Sequence, residues 1–291
     1  MAERLFFVGP GRAGLSLGYA LWRVGAVDSL TFCGRRPDPP PHPLFIQGIA
    51  RYVFGLEPPG PGTTAVVLSV PDAVLPEVSM VLAAQGEPPP GCAAFHMSGA
   101  LGTDPLAPLV ERGYGVGVLH PLQALADPVL GGEQLEGIYF SVSGEPAAVL
   151  AARRIVDHLG STSIMVPVAR RPIYHAAAVF ASNYLSGLIG AAGRLMAQAG
   201  LSDEEALQAI LPLARGSLEN LGRLGPASAL TGPIARGDIE TVRLHLRSLE
   251  PRERKVYSVL GLEILQVAVG GEDGPGETAA EELKELLERE K

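Results

Sequence analysis

The chain has 291 residues, of which 47% are hydrophobic and 19% are charged, so it can bury a large core and is long enough for about two domains. Its 23 Lys and Arg against 31 Asp and Glu leave a formal net charge of −8, which argues against a nucleic-acid-binding protein and against a binder of anionic membranes. Its two cysteines, Cys33 and Cys92, show no CxxC spacing, which excludes a disulfide scaffold and a zinc ribbon.

The same features predict a soluble, cytoplasmic protein. Two cysteines in apolar, strand-like surroundings fit a reducing compartment. The N-terminal stretch MAERLFFVGPG becomes glycine-rich too early for the apolar core of a signal peptide.

Lysine is confined to the C-terminal part of the sequence, at Lys255, Lys284 and Lys291. A Walker-type phosphate loop, a pyridoxal Schiff base and a kinase active site each need a lysine earlier in the chain. The sequence therefore argues against these three classes.

The N-terminal residues predict a strand, a helix and a second strand. Arg4–Gly9 is a continuous apolar run of strand length, GPGRAG follows it, and apolar residues then return at helical spacing in LSLGYALWRVG. A second run, Ser29–Gly34, completes a βαβ opening of the kind formed by parallel strands buried on both faces. The proline-rich stretch after it, with a second proline-glycine cluster at 57–62, predicts an irregular surface segment.

Strands and helices continue to alternate up to residue 166. A helix is predicted at Pro146–Leu159. Apolar runs predict further strands at Ala65–Val70, Ala93–Met97, Val116–Leu119, Ile138–Val142 and Ser163–Val166. This alternation predicts an α/β fold with a doubly wound, mostly parallel Rossmann sheet in a first domain of residues 1–166.

Strand signals stop beyond this point, which predicts an all-helical second domain of residues 167–291. Within it, the 22 residues from Pro172 to Gly193 contain no Asp, Glu, Lys or Arg, a length sufficient to cross a bilayer. Their polar side chains and many glycines and alanines favour a helix packed inside a bundle over a membrane span.

Capping patterns locate the helices that follow. Ser202 and Glu205 form a capping box for a helix that extends through Leu213, and Pro212 predicts a kink or an end there.

Three more helices are predicted toward the C-terminus. Asp238 is the expected cap of a helix at Ile239–Leu249, and another helix is expected at Val256–Val269. Thr278 and Glu281 repeat the capping-box pattern before a charged amphipathic helix.

The GxGxxG pattern of dinucleotide-binding sites is present as Gly9-Pro10-Gly11-Arg12-Ala13-Gly14, between a predicted strand and a predicted helix. In this context Gly9 permits the tight turn, Gly11 lets the backbone approach a diphosphate, and Gly14 lets the helix pack on the strand. Free N–H groups at the start of the helix face the anion. These six residues are predicted cofactor contacts; the alternative is a glycine-rich turn without a ligand.

The end of the second strand predicts which dinucleotide is bound. NAD sites usually present Asp or Glu there, toward the ribose 2′-hydroxyl. This chain has Arg35 and Arg36, whose guanidinium groups match a 2′-phosphate in charge and geometry, whereas Asp38 lies beyond Pro37 and out of reach. NADP is therefore predicted over NAD; the alternative is a solvated pair of arginines.

A further cofactor contact is expected where the strand Ala65–Val70 ends, at Val70, Pro71 and Asp72. Ligands of open α/β sheets lie outside the carboxyl ends of the strands, which places this turn on the nicotinamide side. Asp72 is alternatively only the N-cap of the following helix.

Histidines supply the candidates for proton transfer. His96 and His120 end predicted strands, so these two side chains and Ser98 are expected to converge on a substrate. His175 begins a stripe of polar side chains along one face of the uncharged helix, and Asn183 lies to the side of that face. This stripe either pairs within the bundle or lines a cleft. The remaining three histidines are predicted to be solvated.

Reduction of a carbonyl or imine by hydride needs a proton donor beside the new alkoxide or amine, and histidine exchanges protons near neutral pH. No HExxH or similar spacing is present, so no metal site is predicted. No GxSxG is present either, which argues against an α/β-hydrolase triad.

With these residues identified, the chain resembles a family of oxidoreductases that join a Rossmann-like NADP domain to a helical domain of unknown function. The resemblance covers residues 3–270 and rests on GPGRAG, SVPD, HMSGA, LHPLQ, YHAAAVFASNYL and ALTGPIARGD. More distantly, the chain is similar to the 6-phosphogluconate dehydrogenase-like superfamily, which includes pyrroline-5-carboxylate reductases, ketopantoate reductases and prephenate dehydrogenases.

This resemblance implies a helical domain that forms a homodimer and completes the active site. It also implies that Ser98 and Gly99 lie near the substrate, as a serine-glycine turn does in hydroxyacid dehydrogenases. His120 with Pro121 is similar to the His-Pro of prephenate dehydrogenases.

The chain also departs from its relatives. If Asn183 matches the asparagine that follows the catalytic lysine of hydroxyacid dehydrogenases, then Val179 occupies the lysine position. His175, one turn earlier, is the expected substitute, and Arg236 is either a ligand of a substrate carboxylate or an interface arginine.

Together these inferences predict an NADP-dependent oxidoreductase acting on a small, anionic metabolite. His175 or His120 would transfer the proton, and His96, Ser98, Gly99, Asn183 and Arg236 would contact the substrate. The alternative is a cofactor-binding sensor that lost turnover with the lysine.

Overall fold

The apolar runs of the N-terminal half form one sheet in the computed structural model, which describes residues 2–271 and 274–290. Its eight strands are β1 (Glu3–Val8), β2 (Val27–Gly34), β3 (Ala50–Phe54), β4 (Ala65–Leu68), β5 (Ala93–His96), β6 (Gly115–Pro121), β7 (Tyr139–Gly144) and β8 (Thr162–Met165). The strand order is β3-β2-β1-β4-β5-β6-β7-β8. Neighbouring strands are parallel except β6 and β7, so the predicted doubly wound, mostly parallel α/β sheet is confirmed.

Both faces of the sheet are buried, which explains why its strands are apolar throughout. On β1, Leu5 and Phe7 join the core on one face and Phe6 and Val8 the core on the other, the period-2 pattern of a strand. Helices cover the two faces: α1 (Arg12–Arg23), α2 (Pro43–Ile46), α3 (Leu75–Ala83), α4 (Ala107–Val110), α5 (Pro128–Glu133) and α6 (Pro146–His158).

The segment between β2 and β4 is more ordered than the prolines predict. It contains the one-turn helix α2 and the strand β3, which pairs with β2 at the edge of the sheet. The expectation of an irregular segment was wrong because β3 is an edge strand with an exposed charged residue, Arg51, and therefore lacks a continuous apolar run.

The chain divides into two compact units between Asn183 and Tyr184, later than the predicted boundary at 166/167. The change from strands to helices does occur at residue 167, since α7 (Arg171–Val179) is the next regular element after β8 and a short turn. The first part of this helical run nevertheless belongs to the sheet unit, because Arg171 is fully buried and donates hydrogen bonds to Ser141 and Ser143 of β7.

The second unit contains α8 (Leu185–Gln198), α9 (Asp203–Ala229), α10 (Ile239–Ser248), α11 (Pro251–Val269) and α12 (Glu277–Arg289), so the predicted helical region is confirmed. Two of the three predicted caps are also confirmed. Ser202 and Glu205 bond each other's backbone N–H groups in a capping box, and Asp238 accepts from the Thr241 N–H at 3.1 Å. The cap predicted at Thr278 was wrong, because α12 begins at Glu277 without a side-chain cap.

Pro212 neither ends nor kinks α9 as expected. The helix continues past it, and the break in its backbone lies at Gly225, where φ is +77°, followed by Pro226. Proline removes one backbone donor, whereas a positive φ takes the chain out of the helical region altogether.

The uncharged segment lies within one helical run over residues 168–198, which has a π-helical turn at Phe180–Tyr184. By length and composition it is the one helix among the described residues that could cross a membrane. The expectation that it packs inside a bundle is not met, since none of its most apolar stretch is buried.

Candidate functional site

The glycine-rich turn lies between β1 and α1, where the order of the strands reverses. In the sheet order, β1 is flanked by β2 on one side and β4 on the other, so the chain connections diverge at this point and leave a crevice above the carboxyl ends of the strands. Helix α1 begins at Arg12 with Gly11 as its N-cap, no side-chain cap and no acidic residue in its first turn. Its N-terminal N–H groups and the positive end of its dipole are therefore available to an anion.

Each glycine of the pattern is required by its surroundings. Gly9 has a φ of +96°, and a Cβ there would lie 2.8 Å from Val70 and 2.9 Å from the Ser69 carbonyl oxygen. A Cβ on Gly11 would lie 3.2 Å from the same oxygen, and one on Gly14 would lie 2.8 Å from the Ser69 Cβ. The Ser69 hydroxyl donates a 2.6 Å hydrogen bond to the Gly9 carbonyl, which joins the end of β4 to the turn.

A cavity of about 550 Å³ opens beside this turn. Its walls include Gly9, Pro10 and Gly11 from the turn, and Val70 and Pro71 from the loop after β4. Part of the opposite wall is apolar and consists of Leu56, Val74, Val78 and Val81.

Arg35 and Arg36 lie on the same cavity, directly after β2. Both are exposed, and neither guanidinium has a hydrogen-bond or ion-pair partner among the described residues. Asp38 also lines this cavity, so it is closer to the predicted cofactor site than the sequence suggested. Glu77 lines the cavity as well, so the wall carries the unpaired guanidinium groups of Arg35 and Arg36 together with the carboxylates of Asp38 and Glu77.

Tyr52 of β3 holds in place the turn that carries Arg35 and Arg36, and the sequence did not predict this role. Its hydroxyl donates a 2.6 Å hydrogen bond to the Arg36 carbonyl, and its ring occupies the space in which Gly34 has no side chain, with Cε2 at 2.9 Å from an ideal Cβ. No local signal could have indicated it, because β3 itself was not predicted.

Four of the predicted cofactor contacts do not line the cavity. Arg12 extends away and bonds the Ala126 carbonyl at 3.4 Å, while Ala13 and Gly14 lie within α1. Asp72 neither lines the cavity nor caps the following turn; its carboxylate accepts a 2.7 Å hydrogen bond from the Ser98 hydroxyl. The interpretation of Asp72 as an N-cap was therefore wrong, and its contact with the cofactor stays a prediction.

A second cluster forms where β5 and β6 end, and it brings together His120, His175 and Gly99. The sequence predicted that His120 would converge with His96 and Ser98, and it left open whether His175 would pair within the bundle or line a cleft. The two imidazole rings have centroids 5.9 Å apart and are nearly perpendicular. His120 Nε2 and His175 Nδ1 both lie beside Gly99, close enough that a Cβ there would be 2.8 Å from the first and in closer conflict with the second. His175 Nδ1 is buried and has no hydrogen-bond partner.

Ser98 is fixed on every side and is nearly buried. Its hydroxyl donates to Asp72 and accepts from the N–H groups of Ala100 and Leu101, and its carbonyl accepts a 2.9 Å hydrogen bond from Arg171. The hydroxyl therefore shapes the Ser98–Gly99 turn.

His96 lies behind this turn and is completely buried. Its Nδ1 accepts from the Ser98 N–H at 3.1 Å, so its Nε2 carries the hydrogen donated to the Gly102 carbonyl at 2.6 Å. Both ring nitrogens are thus satisfied, and burial lowers the pKa of this imidazole. The predicted contact of His96 with substrate has no free ring atom to make it.

Arg171 and Tyr174, both of α7, complete the cluster and were not predicted. The Tyr174 hydroxyl lies 3.0 Å from His120 Nδ1, and the Arg171 guanidinium lies 5.9 Å from the centroid of the Tyr174 ring. Burial, then the charges of Arg171, His175 and His96, lower the pKa of His120 to about 4. His120 is therefore neutral at physiological pH.

The two other predicted substrate contacts lie elsewhere. Asn183 is exposed on the π-helical turn and accepts a 2.9 Å hydrogen bond from the Ser182 hydroxyl. Arg236 belongs to the second unit and is exposed in the segment before α10. The hydrogen bonds from Thr241, and then the charge of Arg236, lower the pKa of Asp238. A substrate role for either residue remains a prediction.

Comparison with protein families agrees with this two-part organisation. Residues 56–121 match the model of a Rossmann-like domain, and residues 138–264 match that of a domain of unknown function, DUF2520. The presence of both in one chain confirms the resemblance to proteins that join a Rossmann-like domain to such a helical domain. No curated protein matches the sequence.

Solved structures share the fold over nearly the whole chain. A candidate NADP oxidoreductase from Bacteroides fragilis is 21% identical, with a TM-score of 0.71 over 90% of this chain and 98% of its own. A protein from Thermotoga maritima is 22% identical, with a TM-score of 0.68 over 91% and 98%. A pyrroline carboxylate reductase from Plasmodium falciparum, solved with NADP bound, is 15% identical, with a TM-score of 0.61 over 98% of each chain.

Proposed function

We propose that this protein is an NADP-dependent oxidoreductase that transfers a hydride between the nicotinamide and a carbonyl or imine carbon of a small, anionic metabolite. The observation that carries the proposal is the single cavity shared by the uncapped glycine turn and the unpaired side chains of Arg35 and Arg36. The two features together match the diphosphate and the 2′-phosphate of NADP, and the relatives named above are consistent with such a cofactor.

The residues of the cavity fit this cofactor. The diphosphate would lie over Gly9–Gly11 against the N–H groups of α1. The 2′-phosphate would accept forked hydrogen bonds from Arg35 and Arg36. The adenine ring would pack on the apolar wall formed by Val74 and Val78.

The histidine cluster would carry the acid–base chemistry. When bound, NADPH supplies the hydride. His120 and His175, whose ring nitrogens meet beside Gly99, would polarise the substrate and deliver the proton. The buried charge of Arg171, which has no ion-pair partner among the described residues, favours a substrate that carries a negative charge.

A sensor that binds NADP without turnover is the second candidate. The observation in its favour is that no lysine precedes Lys255, so the lysine on which hydroxyacid dehydrogenases depend is missing. The two histidines are the reason to prefer the enzyme.

Exposed leucines on α9 support assembly of two copies of this chain through the helical unit. Leu207, Leu211, Leu218 and Leu221 follow one another at intervals of 4, 7 and 3 residues and are each 41–52% exposed. This spacing forms one apolar stripe on the helix, and a monomer rarely leaves such a stripe in water. We propose that a second copy covers it.

The cytoplasm is the compartment that we propose. Cys33 and Cys92 are both free thiols, buried in the same core beneath the sheet. Free buried cysteines suit a reducing environment.

Turnover tests the enzyme proposal. We expect NADPH consumption with at least one member of a panel of 2-oxo acids and cyclic imino acids. His120→Ala and His175→Ala should keep their NADPH affinity and lose about 10²–10⁴-fold in kcat, because each removes a group that acts on the reacting atoms.

The matched control is His158→Ala, at the end of α6, which should leave the rate unchanged. Rates in the His120 and His175 variants equal to that of the wild type would refute the proposed roles. NADPH binding without turnover on any substrate of the panel would favour the sensor.

A further inference from the structure

Arg171 is a buried cation whose partners are all neutral. It is fully buried, and its guanidinium donates to the Ser98 carbonyl at 2.9 Å and to the hydroxyls of Ser141 and Ser143 at 3.3 and 3.2 Å. No ion pair among the described residues includes it. A buried charge without a counter-ion is costly to maintain, so its field acts on whatever lies beside it.

The sheet register directs this field at His120. On the antiparallel pair β6–β7, His120 lies opposite Ser141, and opposed residues share a face, so the serines that hold Arg171 are on the side of the imidazole. Arg171 also lies against the ring of Tyr174, whose hydroxyl is 3.0 Å from His120 Nδ1. The three side chains form a continuous row from the buried cation to the imidazole.

All charges that act on His120 oppose its protonation. From α7 these are Arg171 and His175, and from β5 His96. Asp72, the carboxylate that reaches this region from the loop after β4, acts on His96 and is hydrogen-bonded to Ser98. The imidazole therefore has no counter-ion that would stabilise an imidazolium.

The chemistry of the two groups favours one direction for the Tyr174–His120 hydrogen bond. A phenol O–H is a stronger donor than an imidazole N–H, and an imidazole nitrogen is a stronger acceptor than a phenol oxygen. With the hydroxyl donating to Nδ1, the hydrogen of the neutral imidazole must lie on Nε2, the nitrogen that faces Gly99.

We propose that Arg171 and Tyr174 are positioning residues that hold His120 as an uncharged hydrogen-bond donor, with its hydrogen on Nε2, the ring nitrogen beside Gly99. This inference rests on the proposed function and assigns a different role to each of the two histidines. His120 Nε2–H donates a hydrogen bond to the carbonyl oxygen or imine nitrogen and keeps its proton. As hydride adds to the carbon, the electron pair of the double bond moves to that oxygen or nitrogen, which takes its proton from His175.

Nitrogen NMR of the histidine rings tests this arrangement without substrate or cofactor. In ¹⁵N-labelled full-length protein, with His120 assigned by a His120→Asn variant, we expect the hydrogen on Nε2 and no protonation of the ring between pH 8 and 5. Tyr174→Phe should remove the preference for the Nε2–H form. Arg171→Met should shift the pKa of His120 upward by about one unit or more, as loss of a neighbouring like charge does.

The second unit offers a matched control. His245 Nδ1 lies 2.9 Å from the Tyr257 hydroxyl, and no arginine is buried among the described residues of that unit. Tyr257→Phe should leave the His120 signals unchanged.

Three results would overturn the inference: a hydrogen on His120 Nδ1, titration of His120 at the ordinary value of about 6.5, or a Tyr174→Phe spectrum identical to that of the wild type. If Arg171→Met does not fold, the wild-type and Tyr174→Phe spectra still decide. Because these spectra need no ligand, failure to bind NADPH would refute the proposed function and leave this result standing.

Discussion

Gly99 is the residue on which the geometry of the histidine cluster depends. His120 Nε2 and His175 Nδ1 both crowd the position where an L side chain would place its Cβ. Proteins are packed too densely for both rings to move aside without cost.

We therefore expect Gly99→Ala to lower the catalytic rate at least tenfold, about 1.4 kcal/mol in the barrier, while NADPH affinity stays the same. Steady-state kinetics and a binding titration on the same preparation measure both. Gly222→Ala, in open space on α9, is the control. An active Gly99→Ala enzyme would show that the two histidines do not act at this gap.

Residue-level inference from the sequence was strongest where a strand ends. His120 and the Ser98–Gly99 turn were predicted to lie together because parallel strands deliver their carboxyl ends to one edge. Arg171 was missed because it follows Arg170 in a loop-like ARRP stretch, and nothing local distinguishes the buried arginine from the exposed one. Only the serines of β7, which come from a different element, explain its burial.

At the scale of elements, two identical capping patterns gave different outcomes. Ser202 and Glu205 form a complete capping box, whereas Thr278 lies inside α12 and caps nothing. The capping-box pattern specifies two residue types three positions apart, but it does not specify the residue at which the helix begins. Packing against distant parts of the chain decides that residue.

The contrast predicts a difference in stability. Ser202→Ala should lower the free energy of unfolding by about 1 kcal/mol, because it leaves N-terminal N–H groups of α9 without an acceptor. Thr278→Ala should cause no loss, since alanine is the better helix former. Urea unfolding followed by circular dichroism compares them, and equal destabilisation by both variants would contradict the assigned caps.

The residue at which α9 breaks also differs from the one that the sequence predicted. Pro212 was expected to end the helix, but the helix extends to Gly225, where the backbone adopts a positive φ. A proline in a helix interior costs about 3 kcal/mol, and α9 tolerates this cost at Pro212.

For the whole molecule, the sequence predicted the class of the fold and the change from strands to helices. The antiparallel β6–β7 pair was not predicted, because apolar runs do not encode strand direction. The exposed apolar surface of the long helices was not predicted either, since a helix buried by its own chain and one buried by a second copy have the same composition.

This surface leads to a test of assembly. Light scattering should give twice the chain mass for the wild type, and Leu211→Glu with Leu218→Glu should give the monomer, because buried carboxylates without partners are unfavourable. Met80→Glu with Leu150→Glu changes two equally exposed apolar residues of the sheet unit and should leave the dimer intact. A monomeric wild type would refute the proposed dimer.

The central claim is that the glycine turn and the arginine pair bind NADP together. Fluorescence titration with NADPH and NADH tests it on the wild type, on Arg35→Ala with Arg36→Ala, and on Arg112→Ala with Arg153→Ala, two exposed arginines outside the cavity. We predict that the wild type and the Arg112/Arg153 control bind NADPH at least tenfold more tightly than NADH, about 1.4 kcal/mol, and that the Arg35/Arg36 variant loses this preference. Binding of neither dinucleotide, or a preference that survives removal of both arginines, would contradict the account.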